Sequence, residues 1–185
     1  MVVDADAERD SDNTLDFEVS GTDFIISKTG YLSAFLRFAS SPDYEIKTSY
    51  TVIVTVTDGT NTTTQDITVN VTNLNDNSPV FTSDTTFSAA ENQTSIGTVT
   101  ATDGDASDTV TFTVSGSELS MTSAGVLTFA VAPDYETKTS YTGTVTASDG
   151  TNTTTQNITV NVTNLNDNSP VFTSDATFSA AENQT

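Results

Sequence analysis

The chain has 185 residues, with 25 Asp plus Glu against 5 Lys plus Arg, a formal charge of −20, and no Cys, His or Trp. A surface this acidic repels nucleic-acid phosphates and anionic lipid headgroups, and no run of about 18 apolar residues is present that would insert directly into a membrane. Lack of both His and Cys removes zinc sites, thiol catalysis and the usual histidine base together, leaving a carboxylate pair as the remaining enzymatic option; the chain reads as a non-enzyme.

So many carboxylates oppose compaction unless cations neutralise them, so the composition fits either bound divalent metal or an acidic solubility device. Internal repetition organises the chain. NLNDNSPVF at Asn73 to Phe81 returns letter for letter at Asn164 to Phe172, a period of 91. Thr60 to Thr94 recurs as Thr151 to Thr185 with only Asp66/Asn157 and Thr85/Ala176 differing. This is a tandem array of about two units of ordinary domain size. The repeated motif crowds oxygen donors into an extended stretch stiffened by Pro79, between strand-rich units, and reads as a calcium-binding linker.

In chain order, Asp4, Asp6, Glu8, Asp10 and Asp12 alternate near the start, and Asp4-Ala5-Asp6 aligns with Asp103-Gly104-Asp105, which follows the alternating IGTVTAT. Two carboxylates two residues apart after a strand converge on one cation if the backbone curls; on these residues alone a solvated turn is the simpler account. An EF-hand loop does not fit, because Arg9 and Asp108 stand where it needs Gly, and Leu15 and Val114 where it needs Glu. Leu15 to Ser20 and Val110 to Ser115 alternate as half-buried strands ending in Ser-Gly, and further strands are expected around Phe24 to Ser27 and Tyr31 to Phe38.

Pro42-Asp43-Tyr44-Glu45, matched by Pro133-Asp134-Tyr135-Glu136, reads as an extended segment with both carboxylates on one side and the aromatic turned inward. Two strongly alternating strands follow, Tyr50 to Thr57 and Ile67 to Thr72, with Val52, Val54, Val56 and Ile67, Val69, Val71 on core faces. DGTNTTTQ between them reads as a turn opened by Asp58-Gly59. Short strands, no helical periodicity and Asp/Gly/Asn turns predict an all-β sandwich. The Asn-x-Thr triplets carry no weight in so Thr-rich a chain.

With these landmarks in place, both units resemble cadherin repeats, and the resemblance covers almost the whole chain. The family's linker motif is similar to Asn73-Leu74-Asn75-Asp76-Asn77-Ser78-Pro79-Val80-Phe81, its DRE to Asp43-Tyr44-Glu45, its DxD to Asp103-Gly104-Asp105, its later aspartate to Asp149, and its early glutamate to Glu91. Five motifs in the family's order imply tandem immunoglobulin-like Greek-key β-sandwiches with Ca2+ between neighbours. They also imply three parts to the chain: a first repeat over 1–76 that lacks its first strand, a second, complete repeat over 77–168, and the first strand of a third over 169–185.

For the first joint the resemblance implies Asp43, Glu45, Asn75, Asp76, the Asn77 carbonyl, Asp103, Asp105 and Asp149 as ligands, six carboxylates facing three calcium ions. Glu91, Asp134, Glu136, Asn166, Asp167 and Asn168 are their counterparts at the next joint. The family's first linker aspartate is Asn73 here and Asn164 in the second copy; each keeps an oxygen but loses a charge, so one ion is held less tightly.

The expected function is a calcium-rigidified extender of a multi-repeat extracellular, cell-surface adhesin, of bacterial type by its near-identical linkers, low basic content and lack of Cys. Its expected partners are adjacent repeats, with head-to-tail strand donation from the last segment, which would bring Glu182 to the first joint and place Asn166, Asp167 and Asn168 beside Asp4, Asp6 and Asp58 of a neighbour. The alternative is recognition of a protein or polysaccharide through the sandwich surface, which the absence of Trp and the placement of Phe and Tyr at strand positions disfavour.

Overall fold

The structure, a computed structural model, describes residues 14–105 and 108–183; Asp4 and Asp6 lie outside them. Secondary structure among the described residues is entirely β. Chain contacts divide it into two units, Met1–Asn77 with Asp103–Asp108, and Ser78–Thr102 with Thr109–Thr185. Both are immunoglobulin-like Greek-key sandwiches.

Unit 1 contains β1 (Asp16–Val19), β2 (Phe24–Gly30), β3 (Ser33–Phe38), β4 (Ser49–Thr57) and β5 (Thr62–Asn70). One sheet has the order β1-β4-β5, and β2-β3 form a hairpin. Alternation along β4 sends Val52, Val54 and Val56 inward, where Leu15, Val54 and Val56 pack with Phe17, Val19, Ile26, Leu36 and Ile67. Phe24 stacks on Phe38 at 4.7 Å between ring centroids, and Tyr50 meets Phe38 edge-on at 5.1 Å.

Two local expectations change. The turn after β4 is confined to Asp58–Asn61, where Gly59 takes φ +94° and the Asp58 N–H donates to the Asn61 carbonyl at 3.2 Å. β5 then begins at Thr62, because β-branched threonines suit a pleated surface whatever their polarity. Asp43–Lys47 is a helical turn and not an extended segment, with the Lys47 N–H donating to the Asp43 carbonyl at 3.0 Å. In the second copy the aromatic is turned inward, Tyr135 packing on the core of unit 2, while Tyr44 is half-buried.

Unit 2 contains β6 (Val80–Phe81), β7 (Thr86–Ala90), β8 (Ser95–Thr98), β9 (Ala101–Thr102), β10 (Thr111–Val114), β11 (Leu119–Met121), β12 (Val126–Phe129), β13 (Ser140–Ser148) and β14 (Thr153–Thr163). Its sheets run β10-β13-β14-β7 and β11-β12-β8, with a small β6-β9 pair. β7 joins β14 in parallel, from Thr86 opposite Thr159 to Ala90 opposite Thr163. Leu127, Phe129, Val145, Ile158 and Val160 fill the core between the sheets. Gly125 permits a close crossing: at φ +86°, a Cβ there would lie 2.2 Å from the Val99 carbonyl oxygen.

Identical sequence is unequally buried in the two units. Ile158, Val160 and Val162 are 1%, 0% and 4% exposed under β7, whereas Ile67, Val69 and Val71 are only half-buried. Among the described residues β5 is paired on one side alone, with β4. Residues 169–183 form no strand and are exposed throughout, Phe172 at 95% and Phe178 at 81%.

Candidate metal centres

In unit 1, carboxylate oxygens of Glu45, Asp76 and Asp105 all lie within 4.8 Å of one another. Three chain segments deliver them: the Asp43–Lys47 turn, the linker after β5, and the loop between β9 and β10, which is counted with unit 1. Asp105 is 1% exposed. Its Oδ2 accepts the Asn77 N–H at 2.9 Å and its Oδ1 the Asn77 side-chain amide at 3.3 Å. The same amide donates to Asp76 Oδ1 at 3.3 Å.

Asp103 caps the turn, its Oδ1 accepting the Asp105 N–H at 3.0 Å, while its other oxygen is buried without a hydrogen-bond partner among the described residues. Gly104 lets this turn lie against the linker, since a Cβ there would stand 2.9 Å from Asn77 Cγ. Glu45 is exposed, yet its carboxyl is pushed above the ordinary range, first by partial loss of water and further by Asp105 and Asp43. A site that raises a carboxyl pKa through neighbouring carboxylates is short of positive charge.

In unit 2 the matching set is Glu91, Glu136 and Asp167, again within 4.8 Å. Phe87, Ala89 and Glu91 share the inward face of β7 and its extension, so the strand's alternation carries a carboxylate to the end of the core. Glu91 is 2% exposed, and its two oxygens accept the N–H groups of Tyr135 and Leu165, each at 2.7 Å. Asn92, at φ 64°, turns its amide onto Asp167 Oδ2 at 2.5 Å. The Asn164 amide donates to Glu136 Oε1 at 3.2 Å and that of Asn168 to Asp167 Oδ1 at 3.1 Å.

Several expected ligands are engaged locally. Asp43 Oδ1 accepts the Ile46 N–H at 3.1 Å. Asp134 accepts the Glu136 N–H and the Thr137 hydroxyl, bonds that hold its carboxyl below the ordinary range, the hydroxyl contributing most. Asp58 and Asp149 each close a turn on two N–H groups, Thr60 and Asn61 for the first, Thr151 and Asn152 for the second. Asp58 is thereby shifted down, chiefly by the Asn61 N–H. Asn73 and Asn75 lie in the irregular linker, Asn166 in its second copy, and Glu182 in the exposed tail. Sequence reasoning missed Asn92 and Gly104; the first was signalled by an Asn directly after the buried Glu91, the second by a Gly between two carboxylates.

The donor set fits calcium: hard oxygens, several charges, and a buried carboxylate oxygen without a hydrogen-bond partner among the described residues. No family model matches the chain. Protocadherin Fat 4 of Mus musculus is 31% identical over 136 residues, which is 66% of this chain and 3% of that protein. The structure of protocadherin gammaB7 EC3-6, titled a cis-dimer, superposes with TM-score 0.74 at 28% identity, covering 83% of this chain and 42% of that one. Drosophila N-cadherin EC1-4 gives TM-score 0.70 at 24% identity over 83% of this chain and 42% of its own, a likeness of fold alone. The chain thus spans a few per cent of its curated relative and under half of these solved neighbours.

Proposed function

This chain belongs to the cadherin repeat family, extracellular adhesion modules in which calcium binding is general, and from that premise we propose that it is a calcium-rigidified extender of a multi-repeat surface adhesin of bacterial type. Convergence of Glu45, Asp76 and Asp105 carries the reading. These groups come from separate segments, and a bound cation offsets the mutual repulsion of their charges. Glu91, Glu136 and Asp167 form the corresponding set one repeat on, with Asp103, Asn75 and the Asn77 carbonyl, and their counterparts Asn166 and Asn168, as further oxygen donors. Asn73 and Asn164 weaken one ion at each joint relative to an aspartate. Calcium held by the Asp103–Asp105 loop and by the linker would stiffen the array. The module has no chemistry of its own, and its partners are adjacent repeats and further copies of the protein.

Calcium titration by calorimetry, paired with small-angle scattering, tests this. Saturable binding should be accompanied by extension of the molecule in solution. Unchanged scattering and melting in chelator would overturn the reading. Recognition of a glycan or protein through the sandwich face is the second reading, and binding by isolated repeats on a glycan array would favour it.

A further inference from the structure

We infer that the outward face of the β2–β3 hairpin in unit 1 binds a carboxylated pyranose, the ring acid of uronic- and sialic-acid glycans, with Phe35 as the stacking platform and Arg37 as the anchor for the carboxylate. This rests on the second reading above, recognition through the sandwich face, and gives that reading a site and a ligand class.

Alternation sorts the side chains of the hairpin onto two faces. Phe24 and Phe38 stack on each other, and Ile26 and Leu36 join the Val54–Val56 core. Pairing sets Ile25 opposite Arg37 and Ser27 opposite Phe35, so these four share the other face, opposite partners about 5 Å apart between Cβ atoms. Phe35 is 60% exposed, and Tyr31 at the tip of the same hairpin 74%. Placement of Phe and Tyr on strands disfavours a sugar site where the strand turns them into the core; this hairpin turns Phe35 out.

Unit 2 provides the comparison. Its β11–β12 hairpin pairs Leu119 with Phe129 as unit 1 pairs Phe24 with Phe38, which sets Ser120 and Thr128 in the places of Ile25 and Arg37, and Val126 in that of Phe35. Val126 remains 44% exposed with β8 beside β12, so the position is exterior in a three-stranded sheet as well as in the hairpin. Relative to unit 2, the face of unit 1 exchanges Ser for Ile, Thr for Arg and Val for Phe at three adjoining exterior places. None of the three adds to the core, and apolar groups gathered on an exterior face around one cation mark a surface for interaction.

Charge selects the occupant. Among the described residues Lys28, Lys47 and Lys138 each pair with a carboxylate, whereas Arg37 has no ion pair in a chain of 25 Asp plus Glu. A guanidinium left open beside a ring presents its planar fork to an incoming carboxylate, which it holds by two parallel hydrogen bonds. At ordinary salt the Debye length of about 8 Å confines the field of the other carboxylates, so Arg37 acts locally. Backbone N–H and C=O groups lie in the plane of the sheet, so this face lacks the main-chain bonds that hold an extended peptide. It offers ring area, one cationic fork and the Ser27 hydroxyl across from Phe35. A pyranose acid uses all three: its C–H face covers the Phe35 ring, a ring hydroxyl meets Ser27, and its carboxylate reaches Arg37, two residues and about 7 Å along β3.

Calorimetric titration of the whole chain in calcium with trigalacturonate and with sialyllactose separates the two sources of the ring acid, and saturable binding of at least one is expected. Its neutral counterpart, the methyl ester or lactose, should bind at least tenfold more weakly. Phe35→Val and Arg37→Thr install the residues that unit 2 carries at exposed places, so each should weaken binding at least tenfold while leaving the melting temperature and the calcium titration unchanged. Arg37→Lys keeps the charge without the fork and should recover only part of the loss. Equal affinity for the neutral sugars, affinity untouched by either exchange, or tighter binding of poly-glutamate than of both sugars would overturn the inference. Glycan-array binding that survives both exchanges would sink this site and leave recognition elsewhere on the sandwich, whereas no binding to any glycan acid would sink the site together with the glycan form of the second reading.

Discussion

Asp105 is the residue on which the unit 1 cluster turns: buried, bonded twice by Asn77 and braced by Asp103. Asp105→Asn keeps the shape and removes the charge, so calcium affinity should fall about tenfold or more, as should that of Asp76→Ala. Asp66→Ala, on β5 away from either cluster, should change it by less than about twofold; calorimetric titration separates the two, and equal losses would indicate diffuse screening. Glu45 gives a prediction with two signs. Its folded pKa is raised, so in the metal-free protein stability falls as pH rises from the ordinary glutamate range through the raised value. Glu45→Gln should therefore raise the melting temperature in chelator above that pH and lower calcium affinity in its presence. Asp58 has the opposite sign: its folded pKa is depressed, so its contribution is present above the ordinary aspartate range and is lost as pH falls through the depressed value. The composition of this cluster was legible in the sequence from motif order. Its internal bonding was not, because whether Asp43 caps its own turn while Glu45 reaches the cluster depends on a helical turn that a two-residue spacing does not encode.

Among elements, β5 and β14 form a controlled pair, identical from Ile67/Ile158 through the linker yet half-buried in one unit and sealed in the other. Ile158→Ala should cost about 2–5 kcal/mol as a full core truncation, while Ile67→Ala should cost about half as much or less, since its side chain already meets solvent. Denaturant unfolding of the two variants measures the difference. The alternating strands were readable because period-2 patterning is local; β1, β4 and β10 stand within a residue or so of their expected limits. The start of β5 was not, since TNTTTQ has turn composition and becomes a strand only by pairing with Thr55, Val56 and Thr57. Identity of sequence does not make the two copies of this strand alike in burial, since β7 lies against only one of them.

For the molecule as a whole, the formal charge of −20 sets the energetic background. A cation that binds only the folded state stabilises by RT ln(1 + [L]/Kd), about 2.7 kcal/mol per independent site at a hundredfold excess. For a domain of this size that is a rise in melting temperature of about 10 °C or more. Calorimetric scans in calcium and in chelator should show it, and sodium chloride at equal ionic strength should not reproduce it, because screening is weak at a buried carboxylate. No helix of the described residues is long and apolar enough to cross a membrane.

The parallel pairing of β7 with β14 also governs how unit 2 responds to tension. β7 follows the entry of the chain into that unit and β14 precedes its exit, so a pull along the chain draws the two strands past each other lengthwise. The load then falls on all the pairs from Thr86–Thr159 to Ala90–Thr163 together, whereas an antiparallel hairpin pulled at its open end parts one bond at a time. Forced unfolding is governed by the barrier to this concerted rupture and not by equilibrium stability. Stretching single molecules should therefore show a high, abrupt rupture for unit 2, and substituting Ala89 with proline, which removes a ladder donor to β14, should lower that force well out of proportion to its effect on melting.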